Sequence, residues 1–131
     1  MDNKWIPVLA LPDATPEFLK ISDICYTSLK RGKIIFHTLG KDYQLISNIE
    51  ELYSLLYTFE FRKTDRGTLV RIANMVHFDE SYRKIYFDRM ITKHSKYATV
   101  SSNNISNVAK FMRERDRQPA LDHPLPVNKL P

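Results

Sequence analysis

Residues 59–76 read Phe59-Glu60-Phe61-Arg62-Lys63-Thr64-Asp65-Arg66-Gly67-Thr68-Leu69-Val70-Arg71-Ile72-Ala73-Asn74-Met75-Val76. From Phe59 to Lys63 apolar and polar side chains alternate, the pattern of a strand with one buried face. Asp65-Arg66-Gly67 is a turn sequence, because Gly tolerates positive φ and Asp bonds to nearby backbone. Thr68 to Ile72 resumes as a second strand, and Asn74 to Phe78 supplies a third. The stretch therefore predicts β-hairpins with a basic turn at the first corner.

Working upstream, Ser47-Asn48-Ile49-Glu50-Glu51 has capping-box spacing, with either Ser47 and Glu50 or Asn48 and Glu51 as the pair. Ile49, Leu52, Tyr53 and Leu56 recur at helical spacing, so a helix is expected from there to about Tyr57. Before it, Tyr43 to Ile46 reads as a short strand and Leu39-Gly40-Lys41-Asp42 as a turn. Lys33 to Thr38 is a strand, Thr27 to Gly32 a basic connection, and Ile21 to Tyr26 the start of the partner strand. Asp13 to Pro16 reads as a turn. Lys4 to Leu11, broken by Pro7, reads as an edge strand.

Downstream, Lys84 to Phe87 and Tyr97 to Val100 are further short strands, with Asp79 to Arg83 a polar turn. A closing helix starts at Ser101 or Ser102. Ile105, Val108, Ala109 and Met112 form its core-facing stripe. Arg113 to Arg117 is a run of alternating charge, and Pro119, Pro124, Pro126 and Pro131 oppose further regular structure. With three glycines for so many turns, several corners are expected to use Asn, Asp or Lys.

Composition narrows the function. The chain has 131 residues, 43% apolar and 27% charged, as expected of one ordinary globular domain. No apolar run approaches the ~18 residues of a membrane span. The N-terminus lacks the basic start and uninterrupted apolar run of a secretory signal, so a cytoplasmic location is expected. The single cysteine, Cys25, excludes an internal disulfide. Its flanks Ile24 and Tyr26 predict a buried structural thiol. His37, His77, His94 and His123 are scattered, with no metal-ligand spacing. No glycine cluster offers a phosphate-binding loop. Glu50 and Glu51 sit at a helix N-terminus, where they meet the helix dipole. No enzyme mechanism, metal or cofactor is implied.

The charge is +5, from 20 basic and 15 acidic residues. It is clustered: Lys30, Arg31, Lys33 and Lys41; Arg62, Lys63, Arg66 and Arg71; and Arg83, Lys84, Arg89, Lys93 and Lys96. Brought together, these would make an anion-facing surface. The alternative is a solvated face with counter-charges nearby.

Residues 59–76 resemble the central signature of LytTR-type DNA-binding domains: an aromatic, a basic residue, a short turn with Arg and a small residue, an apolar-Val strand, then another hydrophobic strand. Ile35-Phe36-His37-Thr38 matches the family's preceding strand, Leu52 to Leu55 its Leu-x-x-Leu helix, and Ala98-Thr99-Val100-Ser101 its last strand. The similarity runs from about Ile21 to Met112. It implies a mainly β fold with two short helices, an elongated arrangement of short, mostly antiparallel sheets. Residues 1–20 would be an N-terminal extension or edge strand, 21–112 the DNA-binding domain, and 113–131 a charged, Pro-rich flexible tail.

The resemblance further implies a bacterial, response-regulator-like transcription regulator of the stand-alone kind. It would read double-stranded DNA through loops in successive grooves at repeated sites, with two copies pairing on neighbouring repeats. The corresponding loops are Thr27 to Lys33, Lys63 to Gly67 and Ser101 to Asn104. Lys30, Arg31 and Lys33 offer phosphate contacts or a fork onto guanine. Arg66 matches a DNA-contacting position, and Arg62 and Lys63 can hold the backbone. Asn103 and Asn104 can pair with adenine or cap the last helix. Three positions differ from common family residues: Asp65 where His is frequent, Arg71 where Asn is, and Ser101 where Arg is. Asp65 is expected to brace Arg66. The alternative on the same fold is a protein-interaction module that modulates another regulator and binds DNA weakly.

Overall fold

Among the described residues regular structure begins at Trp5, where β-branched and apolar residues take over from Lys4. The computed structural model describes residues 4–116. Residues 1–3 and the Pro-rich segment 117–131 lie outside that range, so the reading of the tail does too from residue 117 onward. The described residues form ten strands in three antiparallel sheets, with two α-helices. This is the mainly β architecture with two short helices that the sequence pattern implies. The chain divides into two compact units, residues 4–56 and 57–116.

In the first unit a five-stranded sheet has the order β2-β1-β5-β4-β3. Its strands are β1 (Trp5–Ala10), β2 (Thr15–Lys20), β3 (Tyr26–Lys30), β4 (Lys33–His37) and β5 (Asp42–Leu45). Three readings of this region are corrected. Trp5–Ala10 is not an edge strand: it pairs with β2 on one side and β5 on the other. The segment after the turn, Thr15–Lys20, is itself a strand, because Leu19 packs with Val8 and Phe36 in the sheet's apolar cluster. Ile21–Asp23 is a 3-10 turn rather than the start of a strand, so β3 begins later and occupies most of what read as a connection.

The α-helix Ile49–Leu56 (α1) packs on β1 and β2 and buries Leu55. Its cap is Asn48, whose Oδ1 accepts the Glu51 N–H at 2.8 Å. The Glu51 carboxylate accepts the Ser47 N–H at 3.0 Å. Of the two capping pairs open in the sequence, Asn48 with Glu51 forms.

The second unit contains a two-stranded ribbon, β6 (Phe61–Asp65) with β7 (Thr68–Arg71), and a three-stranded sheet of order β10-β9-β8. The latter consists of β8 (His77–Asp79), β9 (Lys84–Tyr86) and β10 (Tyr97–Thr99). The helix α2 spans Ile105–Asp116. Val108 is fully buried against Val70, Met75, Ile85 and Val100, with Ile105 and Met112 packed around them. The expected core stripe is therefore in place. The helix outlasts its apolar pattern: Arg113 to Asp116, read as tail, are helical.

Positive φ falls on Ala14, Arg31, Glu60 and Arg83 besides Gly32. None of these non-glycine residues is Asn, Asp or Lys. At the hairpin corners of Ala14, Arg31 and Arg83 the left-handed backbone costs of order 1 kcal/mol each, while Asp serves other corners as expected, Asp65 accepting the Arg66 N–H and Asp79 the Tyr82 N–H. Cys25 is exposed, contrary to the sequence reading. It precedes an edge strand, where apolar neighbours do not imply burial.

Candidate nucleic-acid interface

In the first unit, β3 and β4 are joined by the two-residue turn Arg31-Gly32. Both residues have positive φ, 52° and 80°. That is the tight-hairpin geometry that matches strand twist. It places Lys30 directly opposite Lys33. Like charges so placed repel one another, and an anion at the tip relieves the repulsion. Lys30 and Arg31 are exposed. Lys33 is drawn back instead: its Nζ donates to Ser47 Oγ at 3.4 Å and lies 3.9 Å from Glu51 Oε2. The base of the hairpin is braced by His37, with Nδ1 2.9 Å from Asp42 Oδ1 and Nε2 2.8 Å from Ser28 Oγ. The His37 ring stacks on Tyr26 at 4.2 Å.

In the second unit, the β6–β7 ribbon shifts register between Lys63 and Asp65. A bulge of this kind turns the intervening residue inward. Thr64 is fully buried, and its hydroxyl donates to the Thr99 carbonyl at 2.9 Å. The Thr64 carbonyl accepts the Ser101 N–H at 2.9 Å and Asn104 Nδ2 at 3.3 Å. Asn104 Nδ2 also donates to Ser101 Oγ at 2.8 Å. Two of the three sequence-assigned loops, Lys63 to Gly67 and Ser101 to Asn104, are thus fastened side by side through Thr64.

Asp65 braces the Arg66 turn, though through the backbone. Its Oδ1 accepts the Arg66 N–H at 2.8 Å, and its Oδ2 accepts the Thr99 hydroxyl at 2.6 Å. The Thr99 hydroxyl first and then the Arg66 N–H hold the Asp65 carboxyl below its usual pKa; desolvation opposes them, and the nearby Arg83 charge adds a lesser lowering. With its carboxylate so engaged, Arg66 is left exposed at the tip. Asp65, Tyr82, Arg83, Thr99, Ser101 and Ser102 line an open cleft of about 410 Å³ beside it.

The other assigned residues divide. Asn103 is exposed. Asn104 is committed to the loop clamp, and its Oδ1 accepts from Asn107 at 3.2 Å. Arg62 stacks on Tyr57 at 3.7 Å and donates to the Phe61 and Tyr57 carbonyls at 2.7 and 3.3 Å. Lys63 is half-buried and makes interactions of its own. Thr64 and Thr99 escaped sequence reading, since a contact across 35 residues leaves no local pattern. Arg83 was visible only as one charge in a basic run, yet its carbonyl accepts the Val100 N–H at 3.0 Å and fixes that strand's end.

The family model of the LytTr DNA-binding domain matches residues 16–113. The chain belongs to the LytTR family. No curated protein sequence matches it significantly. LytTR membership makes double-stranded DNA its ligand and transcription regulation its setting, in a family defined by binding and not by catalysis. Among the described residues no cluster of His, Cys, Asp and Glu is arranged to hold a metal, and no helix is long and apolar enough to cross a membrane.

Proposed function

We infer that this LytTR protein binds specific duplex sites through three segments: the Lys30–Arg31 hairpin tip, the Arg66 turn, and the Ser101–Asn103 loop. The observation that carries the reading is Arg66. An exposed guanidinium stands on a turn whose Asp65 carboxylate is tied to the Arg66 N–H and to the Thr99 hydroxyl, within a family that binds DNA. Preorganised guanidinium groups suit bidentate contact with guanine or phosphate. Lys30 and Arg31 suit the phosphate backbone, and Asn103, not Asn104, has its amide available for a base edge. Lys33, Arg62 and Lys63 act second to these, holding the surrounding segments. Two copies on neighbouring repeats extend the same arrangement, in a response-regulator-like role in the bacterial cytoplasm.

The test is selection from a randomised duplex library at near-physiological salt. Enrichment of a short motif, lost with Arg66→Ala, supports the reading; salt-sensitive binding without enrichment sinks it. A second reading is favoured by one observation, the ionised Asp65 beside the tip, which a polyanion meets unfavourably. On it the same surface contacts another regulator, and DNA binding is weak.

A further inference from the structure

We propose that β3 is a self-pairing strand: two copies of this chain join edge to edge, antiparallel about Ser28, and extend the five-stranded sheet across the pair. This goes beyond DNA binding and does not depend on it. β3 ends the sheet order, and all five of its residues are exposed, Tyr26 to 61% and Leu29 to 73%. An open edge of this kind templates another strand.

Parity identifies which backbone groups are open. The residues flanking a two-residue hairpin turn exchange both hydrogen bonds, and such pairs alternate along the ladder. Lys30 and Lys33 flank Arg31-Gly32, so Lys30, Ser28 and Tyr26 face β4. The N–H and C=O of Thr27 and Leu29 therefore point outward. The rest of the sheet agrees: Thr38 N–H bonds to Lys41 on the β5 side, which leaves the alternate residues of β4 facing β3.

The opposite edge is protected. Ile21 N–H bonds to Lys4, so the same alternation turns Pro16, Phe18 and Lys20 of β2 outward. Pro16 has no N–H to offer, and Lys20 brings a charge, the usual devices for blunting an edge. β3 has no proline, and its only charge is Lys30 at the end.

The occupant follows from register. Centring on Ser28 sets Thr27 of each copy against Leu29 of the other, so every outward N–H and C=O of both strands is paired. Centring on Thr27 would require Cys25, whose N–H is already given to the His37 carbonyl at 2.7 Å. Centring on Leu29 would require the turn residue Arg31. In the Ser28 register Tyr26 of one copy faces Lys30 of the other, a cation over a phenol ring. No acid is present and no like charges meet. The strand is complementary to itself in one register only. Five residues make a small contact, so the association is weak and concentration-dependent.

The test uses the full chain without DNA. In a Cys25→Ser background, Ser28→Cys places two thiols at the two-fold axis. Cα atoms of such a pair lie about 4.5 Å apart, within disulfide reach. Mild oxidation should give covalent dimer at least about tenfold faster than Leu39→Cys, a collisional control on an exposed turn. Equal rates would overturn the proposal. The second measurement is sedimentation of the wild-type chain over a wide concentration range. Reversible dimer is expected, and Thr27→Pro should abolish it while leaving the β3–β4 bonds and circular dichroism intact. A chain monomeric throughout, or dimers indifferent to Thr27→Pro, would refute β3 as the interface.

Discussion

Thr64→Val tests the clamp that joins the two loops of the second unit. The substitution keeps the shape of a fully buried side chain and removes its hydroxyl. The bond lost is the 2.9 Å donation to the Thr99 carbonyl. A net hydrogen bond is worth about 1 kcal/mol, and a buried orphaned partner raises the cost. The bond is part-buried rather than fully buried, which holds the cost near the lower figure. About 1 kcal/mol corresponds to a thermal midpoint lower by roughly 4 °C for a chain of this size. DNA affinity well below the midpoint should hardly change. The Thr64 carbonyl still accepts the Ser101 N–H and the Asn104 amide, because those bonds belong to the backbone. The assays are calorimetric unfolding and binding to a selected duplex. An unchanged midpoint would show that the hydroxyl does not hold the loop. An affinity loss as large as that of Arg66→Ala would show that the backbone bonds alone cannot position it.

Arg66→Ala should weaken binding to a selected site by ~1–3 kcal/mol while non-specific binding falls much less, if Arg66 reads a base; competition between specific and random duplexes measures this. Salt dependence counts the phosphate contacts. Two, from Lys30 and Arg31, give a loss of ~12-fold between 50 and 200 mM salt, whereas six would give ~10³-fold; a fluorescence-anisotropy titration distinguishes the two. The Asp65 brace has a definite pH sense. Its folded pKa lies below the usual 3.8, so its contribution is complete above the unfolded value and is lost as pH falls through the folded one. The Asp65 carboxyl resonance should therefore titrate below that of a free Asp, and a midpoint at or above the usual value would contradict the geometry. Met75→Ala, at a position 1% exposed in the second unit's core, should cost ~2–5 kcal/mol in denaturant unfolding. A cost below about 1 kcal/mol would mean that this core is loosely packed.

The residues of 59–76 carried the strand–turn–strand pattern in their own alternation, and α1 and the α2 stripe were legible from helical spacing alone. These features are local, set by burial of every second or every third-to-fourth side chain. Arg66 was legible for the same reason, since a cation between Asp65 and Gly67 must sit on a turn. What the sequence left open was decided by partners distant along the chain. β1 lies inside its sheet because β5 returns to pair with it, and nothing in Trp5–Ala10 announces that return. Lys33 and Arg62 look like Lys30 and Arg31 in one dimension, but Glu51 and Tyr57 claim them in three. Asn103 and Asn104 are identical as letters; the Ser101 hydroxyl and the Thr64 carbonyl, the latter brought near by a bulge, decide which amide remains available. Periodicity reports which face of an element is buried, and tertiary structure alone reports against what.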